Sequence, residues 1–129
     1  MARRREARAV LIIEDEADIR RFACRVLELE GYHVLKADNG EEGLRLLRES
    51  RVSLVLLDLR LPGIDGWKVL AQMKGAAELS AIPIIVFSAS ADSLTLDKAR
   101  SLGAADFLVK PVSASRLKET VSAIFHKER

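Results

Sequence analysis

The sequence predicts an α/β domain: a single doubly wound parallel sheet of five strands with helices on both faces. Three observations predict it. Five short runs rich in Val, Ile, Leu or Phe recur at 9–13, 32–36, 53–57, 84–87 and 105–109. Three stretches within them, 10–13, 54–57 and 84–87, contain no alternating polar residue, as strands covered on both faces require. Helical patterns separate the runs, so β and α alternate five times. Short connections between parallel strands then force right-handed crossovers.

The first run leads into Glu14-Asp15-Glu16. A helix follows, with Ile19, Phe22, Ala23, Val26 and Leu27 at i, i+3, i+4, i+7 and i+8, and Gly31 as its stop. Cys24 lies on the apolar side of that helix and reads as inert core. The second run gives way to Ala37-Asp38, where Asp38 reads as loop chemistry. The helix at 40–50 turns Leu44 and Leu47 inward, and Arg45, Arg48 and the following Arg51 read as a solvated face. The third run ends in Asp58, and the helix at 66–77 carries Val69, Leu70 and Met73, with Trp67 as partial packing. The fourth run ends in Ser88 and its helix, 91–102, stops at Gly103. The fifth ends in Lys110-Pro111. The last helix, 113–127, has Ser113 as its N-cap and Leu117, Val121, Ile124 and Phe125 inward. His33, alone in a strand, carries no functional signal.

A length of 129 residues implies one domain. A composition of 49% apolar and 31% charged residues excludes a disordered chain. The balance of 21 basic against 19 acidic residues, 21 − 19 = +2, is too weak to imply nucleic-acid or membrane-surface binding. The longest uninterrupted apolar run, 9–13, is far too short to span a bilayer or serve as a secretory core. One cysteine excludes an internal disulfide and any Cys-rich metal site. Residues 1–8, with Arg3, Arg4, Arg5 and Arg8, read as a solvated basic tail ahead of a domain at 9–129 in a cytoplasmic protein.

In an open α/β sheet, ligands bind beyond the carboxyl ends of the strands. Four strands bring polar groups to that edge: Glu14, Asp15 and Glu16 from the first, Asp58 from the third, Ser88 from the fourth and Lys110 from the fifth. Any one of these alone reads as a turn or cap residue. The set does not, because the strands behind them are apolar. Glu14, Asp15 and Asp58 repel one another unless something compensates. Oxygen ligands without His or Cys point to Mg2+ or a similar divalent ion, which takes one or two carboxylates plus phosphate oxygens. A remaining aspartate can accept a phosphoryl group as an acyl phosphate. Lys110 offers a cation, Ser88 a hydroxyl, and the helix starts N–H groups for the negative charge. Pro111 allows a cis bond after Lys110, although X–Pro bonds favour trans.

Four stretches carry a resemblance to a known family: Val10-Leu-Ile-Ile-Glu-Asp-Glu16, Leu56-Leu-Asp-Leu-Arg-Leu-Pro-Gly-Ile-Asp-Gly66, Phe87-Ser-Ala-Ser90 and Gly103-Ala-Ala-Asp-Phe-Leu-Val-Lys-Pro111. Over about residues 9–126 the chain resembles a response-regulator receiver domain, the phosphoacceptor module of two-component signalling. The resemblance implies the flavodoxin-like strand order 2-1-3-4-5, which the spacing alone does not yield. It implies that Asp58 is the phosphorylated aspartate, Asp15 a direct Mg2+ ligand, Glu14 a ligand acting mainly through water, and the Arg60 carbonyl the last protein ligand. Ser88 would bind a phosphoryl oxygen and Lys110 would pair with the phosphoryl group. Phe107 matches an aromatic switch position that turns inward as the loop after Ser88 closes. Four departures are mild: Glu14 for the usual Asp, Ser88 for the commoner Thr, Phe107 for the frequent Tyr, and Arg60 as a cation two residues past the acceptor.

The resemblance further implies a phosphoacceptor that catalyses its own phosphorylation and dephosphorylation rather than an enzyme acting on other substrates. The donor would be the phosphohistidine of a histidine kinase or histidine phosphotransfer protein. Output would pass through a face at about 91–127 to a separate effector protein, since no effector domain follows. Rival readings fit less well. A nucleotide-binding domain of the same architecture would need a Ser/Thr/Gly phosphate loop where Glu14-Asp15-Glu16 stands, and no P-loop or dinucleotide fingerprint is present. An aspartyl-phosphate phosphatase would want an acid at position 60. A receiver-shaped interaction module that is never phosphorylated would be expected to lose an acidic residue or the lysine. DNA binding would rest only on the basic N-terminus and is not expected.

Overall fold

A computed structural model describes residues 8–90 and 92–127. Ten elements alternate as expected: β1 (Ala9–Ile13), α1 (Ala17–Leu29), β2 (His33–Ala37), α2 (Gly40–Glu49), β3 (Leu54–Asp58), α3 (Gly66–Gly75), β4 (Ile84–Ser88), α4 (Ser93–Ser101), β5 (Asp106–Val109) and α5 (Ala114–Lys127). All strand pairs are parallel, and the sheet order is β2-β1-β3-β4-β5.

The sheet has a core on each face, and alternate residues of each strand feed opposite cores. Leu11, Ile13, Val55, Leu57, Ile84 and Val86 pack beneath α2, α3 and α4 through Leu44, Leu47, Val69, Leu70, Met73 and Ala99. Val10, Ile12, Leu54, Leu56, Ile85 and Phe87 pack beneath α1 and α5 through Ala23, Leu27, Leu117 and Val121. With both faces covered, neither set of alternate positions can be polar, which is why the runs read as continuous. Each of the Val, Leu, Ile, Phe and Met side chains among them stabilises the fold by about 1.5–3 kcal/mol through burial. Cys24 lies in the α1/α5 core, as expected.

Local chemistry sets the ends. Gly31 closes α1 at φ 95°, a conformation open to glycine. Ser113 Oγ accepts the Arg116 N–H at 3.0 Å, so the expected cap is present. α4 begins at Ser93, two residues later than the expected 91, because Asp92 caps it by accepting the Thr95 N–H at 2.9 Å. Ala91 and residues 1–7 of the expected tail lie outside the described residues. Arg8 lies within them. Its carbonyl accepts the His33 N–H at 2.9 Å, and its guanidinium stands 4.5 Å from the centre of the Phe125 ring. Trp67 is half-buried, with the Lys98 ammonium 4.3 Å above its ring, which ties α4 to α3.

Gly66 positions the phosphoacceptor candidate from below. Its N–H donates to the Leu59 carbonyl at 3.0 Å. A Cβ at Gly66 would meet the Asp58 carbonyl oxygen and lie 2.6 Å from Leu59 Cα, both backbone atoms that cannot swing aside. Gly66→Ala should therefore destabilise the protein by about 1–3 kcal/mol, the cost of overpacking a rigid site. Thermal melts check this, and a melting temperature equal to wild type would show that α3 can move away freely.

Candidate functional site

Parallel register places the strand ends together. Ile13 pairs with Leu57, Asp58 with Phe87, and Ser88 with Val109, so Glu14, Asp58, Ser88 and Lys110 emerge along one edge. The Lys110 N–H donates to the Ser88 carbonyl at 2.9 Å and extends that register by one residue. The Lys110–Pro111 bond is cis, against the general preference of X–Pro bonds.

A cavity of about 240 Å³ opens at this edge, lined by Asp15, Glu16, Asp58, Arg60, Ser88 and Lys110, among others. Asp58 lies at its floor, only 3% exposed. Asp58 Oδ1 accepts the Arg60 N–H at 3.1 Å, and Oδ2 lies 3.4 Å from Lys110 Nζ. Glu14 is fully buried beneath the cavity. Its Oε2 accepts the Glu16 N–H at 3.1 Å. Its Oε1 lies 2.7 Å from Lys110 Nζ, an ion pair without hydrogen-bond alignment. Ser88 Oγ accepts the Ser90 N–H at 3.1 Å, which leaves the hydroxyl hydrogen free to turn toward the cavity.

The electrostatics follow from burial. Desolvation, together with the Glu14 carboxylate, raises the Asp58 carboxyl to about 7, against the pull of the Arg60 N–H and Lys110. Burial alone would lower the Lys110 ammonium. The close Glu14 contact and the Asp58 charge outweigh it, and the net shift is upward. The cluster is therefore short of positive charge: two buried carboxylates share one ammonium, and a third carboxylate, Asp15, stands exposed beside them. Glu14, Asp15 and Asp58 each place a carboxylate oxygen within 4.8 Å of the others'. This hard-oxygen set, with a buried Glu14 oxygen lacking a hydrogen bond, fits a small divalent cation.

Phe107 stands apart from the cavity. It is half-buried against the α2–α4 core and sits in register with Val86.

The response regulator receiver domain family model matches residues 10–122. The chain belongs to this family.

Receiver domains bind Mg2+ through an acidic pocket, and Glu14, Asp15 and Asp58 form such a cluster here. This receiver domain is 34% identical over 115 residues to the protein PilH of Pseudomonas aeruginosa, covering 89% of this chain and 95% of that one. It is 37% identical over 119 residues to the transcriptional regulatory protein AfsQ1 of Streptomyces coelicolor, covering 92% of this chain but 52% of that one. The transcriptional regulatory protein ResD of Bacillus subtilis is 35% identical over 118 residues, with 48% of its length covered. The chain thus spans nearly all of PilH and about half of the two transcriptional regulators. Among solved structures, the receiver domain of a signal transduction histidine kinase from Syntrophus aciditrophicus superposes with a TM-score of 0.86 at 29% identity, covering 94% of this chain and 92% of that one. A CheY-like receiver domain protein from Methanospirillum hungatei superposes at 0.88 with 24% identity, covering 95% and 96%, and shows the shared fold.

Sequence reasoning missed three features of this receiver domain. Arg20, which reads only as a helix residue, donates from Nη1 to the Glu14 carbonyl at 2.8 Å. Ser90 and Asp92 organise the loop after β4, with the Ser90 hydroxyl donating to Asp92 Oδ2 at 2.6 Å. A groove of about 530 Å³, floored by Ile19, Phe22, Phe87, Pro111 and Val112, runs beside Lys110 between α1 and the start of α5. The helical pattern assigns Phe22 to the core, yet it is 40% exposed and forms part of that groove. No helix among the described residues is long and apolar enough to cross a membrane.

Proposed function

We propose that this receiver domain accepts a phosphoryl group on Asp58 from the phosphohistidine of a histidine kinase or histidine phosphotransfer protein. An Asp58 carboxylate oxygen attacks phosphorus in line. The P–N bond to the donor imidazole breaks, and an acyl phosphate forms. Water later attacks that phosphorus, releasing inorganic phosphate and restoring the carboxylate. The observation that carries this reading is a buried aspartate at the floor of an open polar cavity, with one oxygen held by the Arg60 N–H and the other facing Lys110.

Asp15 and Asp58 would hold Mg2+ directly, Glu14 mainly through water, and the Arg60 carbonyl would complete the set. When bound, Mg2+ supplies positive charge for the phosphoryl oxygens and favours the ionised form of Asp58. Lys110 pairs with the transferred group, and the Ser88 hydroxyl donates to one of its oxygens. The fixed Asp58 carboxylate acts mainly by position, so the domain supplies the catalysis of its own modification. The groove beside Lys110 is large and apolar enough to seat a side chain of the donor protein next to the site. Phosphorylation biases the loop after Ser88 and the position of Phe107. The change is read on α4, β5 and α5, where Leu94 is 80% and Val109 42% exposed, by an effector protein in the cytoplasm.

Incubation with acetyl phosphate and Mg2+, followed by intact mass, tests the proposal. Wild type should gain about 80 Da, one phosphoryl group. The adduct should be absent in Asp58→Asn and without Mg2+. An adduct that persists in Asp58→Asn places the acceptor elsewhere.

A further inference from the structure

Arg20 lies on the first turn of α1, where the helix dipole disfavours a cation. Its neighbour Arg21 pairs with Asp18 at 2.6 Å, and Arg45 on α2 pairs with Glu49 at 2.6 Å. Among the described residues Arg20 pairs with no carboxylate. Its guanidinium instead turns back onto the acidic loop. Nη1 donates to the Glu14 carbonyl at 2.8 Å and approaches the Asp15 carbonyl at 3.4 Å. The Glu14 N–H is held from the other side by the Ala37 carbonyl at 3.0 Å. The main chain of Glu14 is thus held at both ends, its N–H by β2 and its carbonyl by Arg20. Asp15 lines the cavity with a carboxylate oxygen within 4.8 Å of those of Glu14 and Asp58, and no described hydrogen bond or ion pair holds its side chain, so its placement depends on its main chain.

We infer that Arg20 is a positioning residue for the metal-binding carboxylates, acting through the main chain of Glu14 and Asp15. The inference rests on the proposed Mg2+ site. Two effects of Arg20 oppose each other. Its charge repels a dication, and its donor removes the freedom the loop would otherwise lose on binding. A guanidinium near the protein surface is screened by water, whereas a displaced ligand loses its contact outright, so positioning should win.

Isothermal titration with Mg2+ alone tests this. The dissociation constant should rise about fivefold in Arg20→Ala, the effect of one lost hydrogen bond. Arg20→Met, which keeps the stem and removes the donor, should show the same rise even if the alanine variant does not fold. Arg20→Gln, a neutral donor, should return binding toward wild type. Arg25→Ala, a cation removed from an exposed site on the same helix, should leave binding unchanged. Unchanged or tighter binding in both Arg20→Ala and Arg20→Met overturns the inference. So does an equal loss in Arg25→Ala. If wild type binds Mg2+ and Asp15→Asn does not, the site stands whatever Arg20 does. If wild type binds none, the site and the inference fall together.

Discussion

Lys110→Met should melt well below wild type in magnesium-free buffer, with a loss of about 3 kcal/mol near neutral pH, the usual cost of removing one partner of a buried ion pair. For a chain of this size that corresponds to roughly 10 °C. Methionine keeps the aliphatic stem, which runs past the Phe87 ring with Nζ 5.0 Å from its centre, so the substitution isolates the charge. What remains is Glu14 at 0% exposure and Asp58 at 3%, with no ammonium between them. The cation therefore does more for the resting fold than its role toward a phosphoryl group requires. Acidification should shrink the loss. As pH falls through about 7 Asp58 takes up a proton, and the site then holds one anion fewer to balance. Mg2+ should return part of the lost stability, because it binds the folded acidic cluster and not the unfolded chain. Circular dichroism melts with and without Mg2+ measure all of this. A variant melting within about 2 °C of wild type would mean that water already neutralises the pair.

The same residues show what a sequence can and cannot disclose. The five strands are legible because covering both faces removes every polar residue from the interior of the central runs. The strand ends are legible because polar residues follow those runs abruptly. Strand order is not, since right-handed crossovers permit several orders and only the resemblance selects one. Asp58 and Ser88 are the last strand residues rather than the first loop residues, which fixes their directions more firmly than a loop would. The resemblance assigns Lys110 to the phosphoryl group, yet in the structure it lies closer to Glu14, at 2.7 Å, than to Asp58, at 3.4 Å. Glu14 is fully buried beneath the cavity, a depth that its place after an apolar run does not disclose. Burial depth of this kind depends on how helices close over a sheet, and no local pattern encodes it. Arg20 leaves no trace because its partners are main-chain carbonyls, which every residue has. Gly66 leaves none because a close backbone approach looks the same in sequence as any helix start.

Asp58→Asn should raise the melting temperature of metal-free protein. The ordinary value for this carboxyl is 3.8, and in the folded protein it is about 7, with burial as the largest cause. The native state therefore binds a proton that the unfolded chain has released. Wild-type stability falls as pH rises from about 4 to about 7, and above that the full cost of an ionised Asp58 remains. The difference, 7 − 3.8, would correspond to about 4 kcal/mol if it belonged to Asp58 alone. Part belongs to the shared cluster, since Lys110 in turn loses an anion in the variant, so about 2 kcal/mol is the expected gain at pH 8 or so. Lys110 keeps its nearer partner, Glu14, and the amide oxygen of the substituted side chain can still accept the Arg60 N–H, but the new amide NH2 then stands where Oδ2 faced the Lys110 ammonium at 3.4 Å and offsets part of the gain. The gain should amount to roughly 7 °C at the alkaline end and shrink as pH falls from about 7 to about 4, below which folded and unfolded wild type are both neutral at this position. Mg2+ should narrow the gap from the other side by stabilising wild type more than the variant, which lacks one of the three carboxylates. A metal-free variant no more stable than wild type at the alkaline end would mean that the carboxylates do not strain the fold. The rim would then have no electrostatic deficit for a cation to relieve.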